Sequence, residues 1–306
     1  MNDRSAVISA LTTLRDYVRW GASRFNQAKL CFGHGTVNAI DEAAALVLHA
    51  IHQPHDLPAG YFNCVLSLEE REDVLNLLQR RIEERLPAAY LTGEAWFAGL
   101  AFKVDPRVLV PRSPIAELIE QRFSPWIGEP EAVEDILDLC TGSGCIAIAC
   151  AYAFPDADVD AVDISADALD VAASNVERHE VEDQVSLYQG DLFAALPEKR
   201  YDIIVSNPPY VNSEEWEGLP AEFHAEPKLG LEAADNGLAA VKQILREAGE
   251  FLKPEGILVV EVGSSAEALE EAYPEVPFCW LDFERGGDGV FLLTAEQLRE
   301  YSALLS

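Results

Sequence analysis

Basic side chains are scarce in this sequence: 22 lysines and arginines stand against 53 aspartates and glutamates in 306 residues, a formal net charge of −31. Nucleic acid binding relies on Lys and Arg displacing counterions from phosphates. With no Lys/Arg-rich stretch present, the composition argues against direct nucleic acid binding. The same acidity favours basic partners such as basic proteins, or does no more than keep the chain soluble in a salty cytoplasm. Long apolar runs are missing too. None reaches the roughly 18 residues a membrane-spanning helix needs. Met1-Asn2-Asp3-Arg4 lacks the charged-then-apolar layout of a secretory signal, so the expected location is the cytoplasm. Cysteine is present six times (Cys31, Cys64, Cys140, Cys145, Cys150 and Cys279), but without zinc-knuckle spacing or a nearby histidine. These residues are expected to be small buried thiols, with no metal site.

What remains is an ordinary globular composition, 49% hydrophobic and 25% charged, long enough for two domains. Apolar residues recur at helical spacing in the first third: Val7, Ile8, Leu11, Leu14 and Val18, then Val74, Leu77, Leu78 and Ile82. A helical domain over residues 1–92, for packing or substrate recognition, is expected. Short aromatic and β-branched runs broken by Gly99 and Asp105-Pro106 then suggest a hairpin linker over 93–112. From 113 to 306 strands and helices alternate. The strand candidates are Ile136–Leu139, Val159–Val162, Val185–Tyr188, Ile203–Val205, Ile257–Val262 and Val290–Leu293, and the helical ones are about 144–153, 165–178, 237–252 and 265–272. Such alternation predicts an α/β fold with a mostly parallel sheet covered on both faces, binding ligands beyond the carboxyl ends of its strands.

Two stretches carry chemistry. Asn207-Pro208-Pro209-Tyr210 comes directly after the apolar run ending at Ser206. Asn207 offers an acceptor and a donor, the prolines fix φ and remove N–H groups, and Tyr210 adds an aromatic wall and a hydroxyl. Together they suit a planar –NH2 group, whether amide or base. The second stretch, Asp138 to Ala147, reads as a strand end, a glycine turn and a helix start. Gly142-x-Gly144-x-x-Ala147 also meets the dinucleotide pattern, with Asp163 placed 21 residues beyond Gly142. Asp138 separates the readings: it would repel a pyrophosphate at the turn but attract a cationic ligand with an ammonium and a sulfonium, as in S-adenosylmethionine. Asp163 can accept from ribose hydroxyls under either reading. Asp191 can accept from an adenine amine while Leu192 packs on the ring.

The run LDLCTGSGCIAIACAYAFPDADVDAVDIS, followed by NPPYV and by EVGSSAEALEEAYPEVPFCWLDFERGGDGVF, resembles protein glutamine N5-methyltransferases. The likeness also takes in YLTGEAWFAGLAF and VLVPRSPIAELIE, and so covers most of the chain. It is nearest to the branch that modifies ribosomal protein three of the large subunit. The branch acting on peptide-chain release factors carries an acidic pair where Pro114 and Ala116 stand here, and an aromatic residue at the position of Leu192. The resemblance implies a class I, Rossmann-like S-adenosylmethionine-dependent methyltransferase with a seven-stranded, mostly parallel sheet and a small helical N-terminal domain for a basic ribosomal protein substrate. It implies that Cys140, Thr141, Gly142, Ser143 and Gly144 lie along the methionine part of the cofactor, with Asp138 near its amine. Asp163 would hold the ribose, and Asp191 and Leu192 the adenine end. Asn207, also beside the cofactor, would act with Pro208, Pro209 and Tyr210 on the glutamine, Asn207, Pro208 and Tyr210 being the catalytic members. A nucleic acid methyltransferase acting on the amino group of adenine or guanine is the strongest rival, because the same four residues would hold an exocyclic amine. A nicotinamide oxidoreductase and a non-catalytic adaptor rank below it.

Overall fold

A computed structural model of the protein describes residues 4–305. The chain divides into two compact units, Met1–Glu94 with Pro220–Ala225, and Ala95–Leu219 with Glu226–Ser306.

The first unit is helical. Its longer helices are Leu14–Gln27, Ala39–Ala50 and Leu68–Glu84. Capping explains where they begin. Thr13 and Asp16 form a reciprocal capping box, Ser67 and Glu70 form another, and the Asn38 side chain accepts from the Ile40 and Asp41 amides. Their apolar faces close over Tyr17, Phe25, Leu46, Leu75 and Leu78, all fully buried.

A buried ion cluster lies within this unit. Arg81 Nε donates to Glu42 Oε1 at 2.7 Å, and Arg85 Nη2 sits 2.9 Å from Glu222 Oε1. Glu222 is fully buried and also accepts from the Cys31 amide at 3.1 Å. Removing one partner of a buried pair strands the remaining charge, which costs about 3–5 kcal/mol. Glu222→Ala is therefore expected to destabilise this unit by roughly that amount, read from urea denaturation of the intact protein.

The second unit is built on a seven-stranded sheet: β1 Asp135–Leu139, β2 Asp158–Asp163, β3 Val185–Gln189, β4 Tyr201–Ser206, β5 Leu252–Glu261, β6 Cys279–Trp280 and β7 Val290–Thr294. The spatial order is β3-β2-β1-β4-β5-β7-β6. β1 to β5 run parallel, while β7 pairs antiparallel with both β5 and β6. The continuous apolar runs reflect burial of both faces. In β4, Ile203 and Val205 join one core and Ile204 the other; in β5, Ile257 and Val259 oppose Leu258 and Val260. This is the α/β architecture expected from the alternation.

All six expected strands form. The seventh, Cys279–Trp280, is an edge strand too short to show a period. The short helices Ile115–Glu120 and Ser213–Gly218 were likewise not predicted. The hairpin, Glu94–Phe97 with Leu100–Lys103, is not a separate linker. From Ala95 onward it belongs to the second unit, because Phe97 and Phe102 are part of the core beneath the sheet. The cysteines are free, but only Cys150 is fully buried; Cys64 and Cys279 are exposed. No helix among the described residues is long and apolar enough to cross a membrane.

Candidate active site

The five parallel strands end at one rim, and the residues just beyond them frame a cavity of about 420 Å³. Cys140 comes after β1, Asp163 ends β2, Gly190 to Leu192 come after β3, Asn207 comes after β4 and Glu261 ends β5. Strand order reverses at β1, which pairs with both β2 and β4. That is the crevice where open α/β sheets bind ligands.

The turn after β1 is tight. Cys140 and Gly142 have positive φ, 61° and 55°, and the Thr141 amide donates to the Val162 carbonyl at 3.0 Å. Asp163 fixes the turn across the crevice, accepting from the Gly142 amide at 2.8 Å and the Ser165 amide at 2.9 Å. The carboxylate also lies on the cavity wall, where it can accept from a ligand. Burial raises the Asp163 pKa despite these amides. Asp191 is exposed at the edge, and Leu192 is buried behind it with φ of 50°.

Of the expected site residues, Cys140, Thr141, Gly142, Ser143, Asp163, Asp191, Leu192, Asn207, Pro209 and Tyr210 line the cavity. Asp138, Gly144 and Pro208 do not. Asp138 is fully buried and turned back on its own loop, with Oδ2 accepting from Thr141 Oγ1 at 2.6 Å and the Ala147 amide at 3.1 Å. Its Oδ1 has no hydrogen-bond partner in the protein. Gly144 packs against Ala172, which a Cβ at this position would meet at 3.3 Å. Pro208 is buried, but among the described residues no protein group donates to its carbonyl. The Asn207 side chain likewise makes no hydrogen bond to the described protein, leaving its amide available to a ligand.

Burial pushes the Asp138 carboxyl up to about 7, opposed by its bonds to Thr141 and Ala147 and reinforced by Asp163. The folded protein thus holds this proton more tightly than the unfolded chain. Ionisation costs stability progressively as pH rises from about 4 to about 7, and the loss persists above that. At 1.36 kcal/mol per pKa unit, the cost at full ionisation is on the order of 4 kcal/mol. Asp138→Asn removes it, so its denaturation midpoint should gain on wild type between pH 4 and 7 in ligand-free protein.

Tyr210 is held at several points. Its hydroxyl donates to Glu261 Oε1 at 3.0 Å, and its carbonyl accepts from Ser265 Oγ at 2.7 Å. Burial and the neighbouring Glu261 keep the phenol protonated. Arg112 Nη1 and Nη2 bind Glu226 at 2.6 and 2.8 Å, and Arg107 pairs with Asp105 at 2.7 Å. The two arginines lining the cavity therefore already have carboxylate partners. Ser113, Glu261, Arg112 and Glu226 were not anticipated as site residues. Glu261 had one available signal: it stands at the carboxyl end of an apolar strand.

A cavity with a glycine turn, aspartates at successive strand ends and paired arginines suits a ligand that is cationic at one end and carries a ribose. It does not suit a pyrophosphate. The volume lies within the usual range for small-ligand sites.

Residues 127–225 match the family model "Methyltransferase small domain". The chain is 53% identical over 302 residues, 99% of its length and 97% of the relative's, to the ribosomal protein uL3 glutamine methyltransferase of Xanthomonas campestris pv. campestris. It is also 53% identical, over 94% of its length and 95% of the relative's, to that of Neisseria meningitidis serogroup A. Among solved structures, the hMettl16 catalytic domain, in complex with the MAT2A 3′UTR hairpin 1, aligns with a TM-score of 0.50 at 20% identity. The alignment covers 73% of this chain and 78% of that one, and it speaks to the fold alone.

Proposed function

The chain belongs to the ribosomal protein uL3 glutamine methyltransferases, and from that premise we propose how its own residues transfer a methyl group to a glutamine side chain of uL3. The observation that carries the reading is the unengaged Asn207 amide on the same cavity as Asp163 and the glycine turn. S-adenosylmethionine supplies a sulfonium methyl, whose carbon–sulfur bond breaks with the electron pair staying on sulfur as the glutamine nitrogen bonds the carbon.

The residues fit this donor. Asp163 accepts from the ribose hydroxyls, Leu192 packs on the adenine, and Asp191 takes its amine. The turn from Cys140 to Ser143 runs along the methionine part. Asp138 supports that turn from beneath rather than lining the cavity, through its bonds to Thr141 Oγ1 and the Ala147 amide.

An amide nitrogen is a weak nucleophile because its lone pair is delocalised into the carbonyl. Asn207 Oδ1 and the Pro208 carbonyl accept its two N–H hydrogens and turn the lone pair toward the methyl. Orientation of this kind supplies roughly 7–11 kcal/mol of a barrier. Tyr210 and Pro209 wall the amide and exclude water. The proton leaves after transfer, when the nitrogen has become acidic.

The helical unit, expected over residues 1–92, is assigned to recognition of the protein substrate. The net charge of −31 carried by the whole chain matches a basic ribosomal protein met in the cytoplasm. The test is incubation with labelled S-adenosylmethionine and ribosomal components from cells lacking this enzyme. Label in the uL3 band supports the reading; label in RNA, or in release factors alone, rejects it.

A further inference from the structure

Tyr210 is fixed far more tightly than a simple wall requires. A Cβ on Gly263 would lie 2.5 Å from Tyr210 Cε2, and one on Gly237 would lie 2.1 Å from the Tyr210 carbonyl oxygen. Ring and backbone are thus confined from two sides. Gly289 in turn presses on Gly263, where an added Cβ would come within 2.4 Å of its carbonyl oxygen.

Behind the hydroxyl stands Glu261, only 6% exposed. Its second oxygen accepts from Ser113 Oγ at 2.5 Å, and that same Oγ accepts from the Ile115 amide at 3.2 Å, where the helix Ile115–Glu120 starts. From this helix Glu117 accepts from the amides of Glu284 and Arg285 at 2.9 and 2.8 Å. Three distant stretches, 113–117, 261–265 and 284–289, therefore converge behind one tyrosine. Burying a carboxylate is costly unless hydrogen bonds satisfy it, and a phenylalanine would wall the cavity without that cost. A proton committed to Glu261 also leaves the Tyr210 oxygen facing its ligand only as an acceptor.

We propose that Glu261 is a positioning residue for methyl transfer, holding the Tyr210 hydroxyl so that the ring and its oxygen meet the incoming amide in one fixed orientation. This rests on the glutamine-transfer reading above. Glu261 itself need not touch the substrate; its effect passes through Tyr210.

The test uses full-length protein, S-adenosylmethionine and unmethylated uL3, with wild type, Glu261→Gln, Tyr210→Phe and the double variant. Gln is isosteric but cannot accept from both hydroxyls without turning an N–H2 toward one of them. The kcat of each single variant should fall about 10- to 100-fold, the range expected for small misplacements at a reacting centre. KM for uL3 and the calorimetric affinity for S-adenosylmethionine should stay within about threefold of wild type, since the clamp is misoriented rather than removed. The double variant should be no worse than the poorer single one, because both remove the same interaction. Additive losses overturn the inference, as does a Glu261→Gln enzyme with wild-type kcat. So does a loss confined to cofactor affinity or to melting temperature. Should Glu261→Gln fail to fold, Tyr210→Phe with unchanged kcat overturns it alone. If wild type leaves uL3 unlabelled while binding cofactor, the glutamine-transfer reading itself has failed, a result distinct from equal turnover in wild type and Glu261→Gln.

Discussion

Asn207→Ala should lower kcat for methyl transfer to uL3 by roughly 10²–10³-fold, with the S-adenosylmethionine dissociation constant changed by no more than about twofold. The environment of this side chain is the reason. It carries no fold-holding hydrogen bond, so its loss disturbs little besides the ligand. Its backbone continues from β4, whose fully buried Ile203, Ile204 and Val205 keep the strand end in place. The variant loses one acceptor, and with it the orientation of a nucleophile that is poor in any other orientation. Single-turnover rates with saturating cofactor measure this directly, and calorimetry provides the control. Wild-type turnover in the variant would remove Asn207 from the mechanism.

Asp163→Ala should act on the other side of the cavity. Its carboxylate holds the Gly142 and Ser165 amides, and on the proposed reading it also accepts from the ribose hydroxyls. Hydrogen bonds to a charged group contribute about 1.5–3 kcal/mol each, so losing two ribose contacts corresponds to at least a hundredfold weaker S-adenosylmethionine binding. The turn through Gly142 would loosen as well, adding to the loss. Titration calorimetry of the variant should show that weakening, while kcat at cofactor saturation falls much less. The opposite pattern, intact binding with collapsed turnover, would show that Asp163 belongs to the transfer step instead.

Much of this site could be read along the chain because its parts are local. The apolar run ending at Ser206 announces a strand, and residues just past the end of a parallel strand face the ligand crevice. The glycine turn and Asp163 keep a spacing fixed by one strand–helix–strand unit. The linkage of Glu261 to Ser113 and Tyr210 could not be found that way. Its contacts join residues 148 and 51 positions apart, and no local period connects them. Asp138 illustrates a different limit. Its position beside the turn was evident, but whether its carboxylate faced the cavity depended on Thr141 Oγ1 and the Ala147 amide claiming it. Pro220–Ala225 shows a third: a short polar stretch between two parts of the α/β unit gives no sign that Glu222 will be buried with Arg81 and Arg85. The apolar strands, by contrast, needed no long-range information, since burial on both faces is written into each of them.

Whether this protein methylates a glutamine side chain of uL3 comes down to where the methyl group arrives. Unmethylated uL3 should be incubated with the protein and isotopically labelled S-adenosylmethionine, then digested and mapped by tandem mass spectrometry. The predicted result is one labelled methyl on the side-chain nitrogen of a glutamine, absent when Asn207→Ala replaces wild type. A methyl on another residue type, or uL3 left unmodified by cofactor-saturated enzyme, would contradict it.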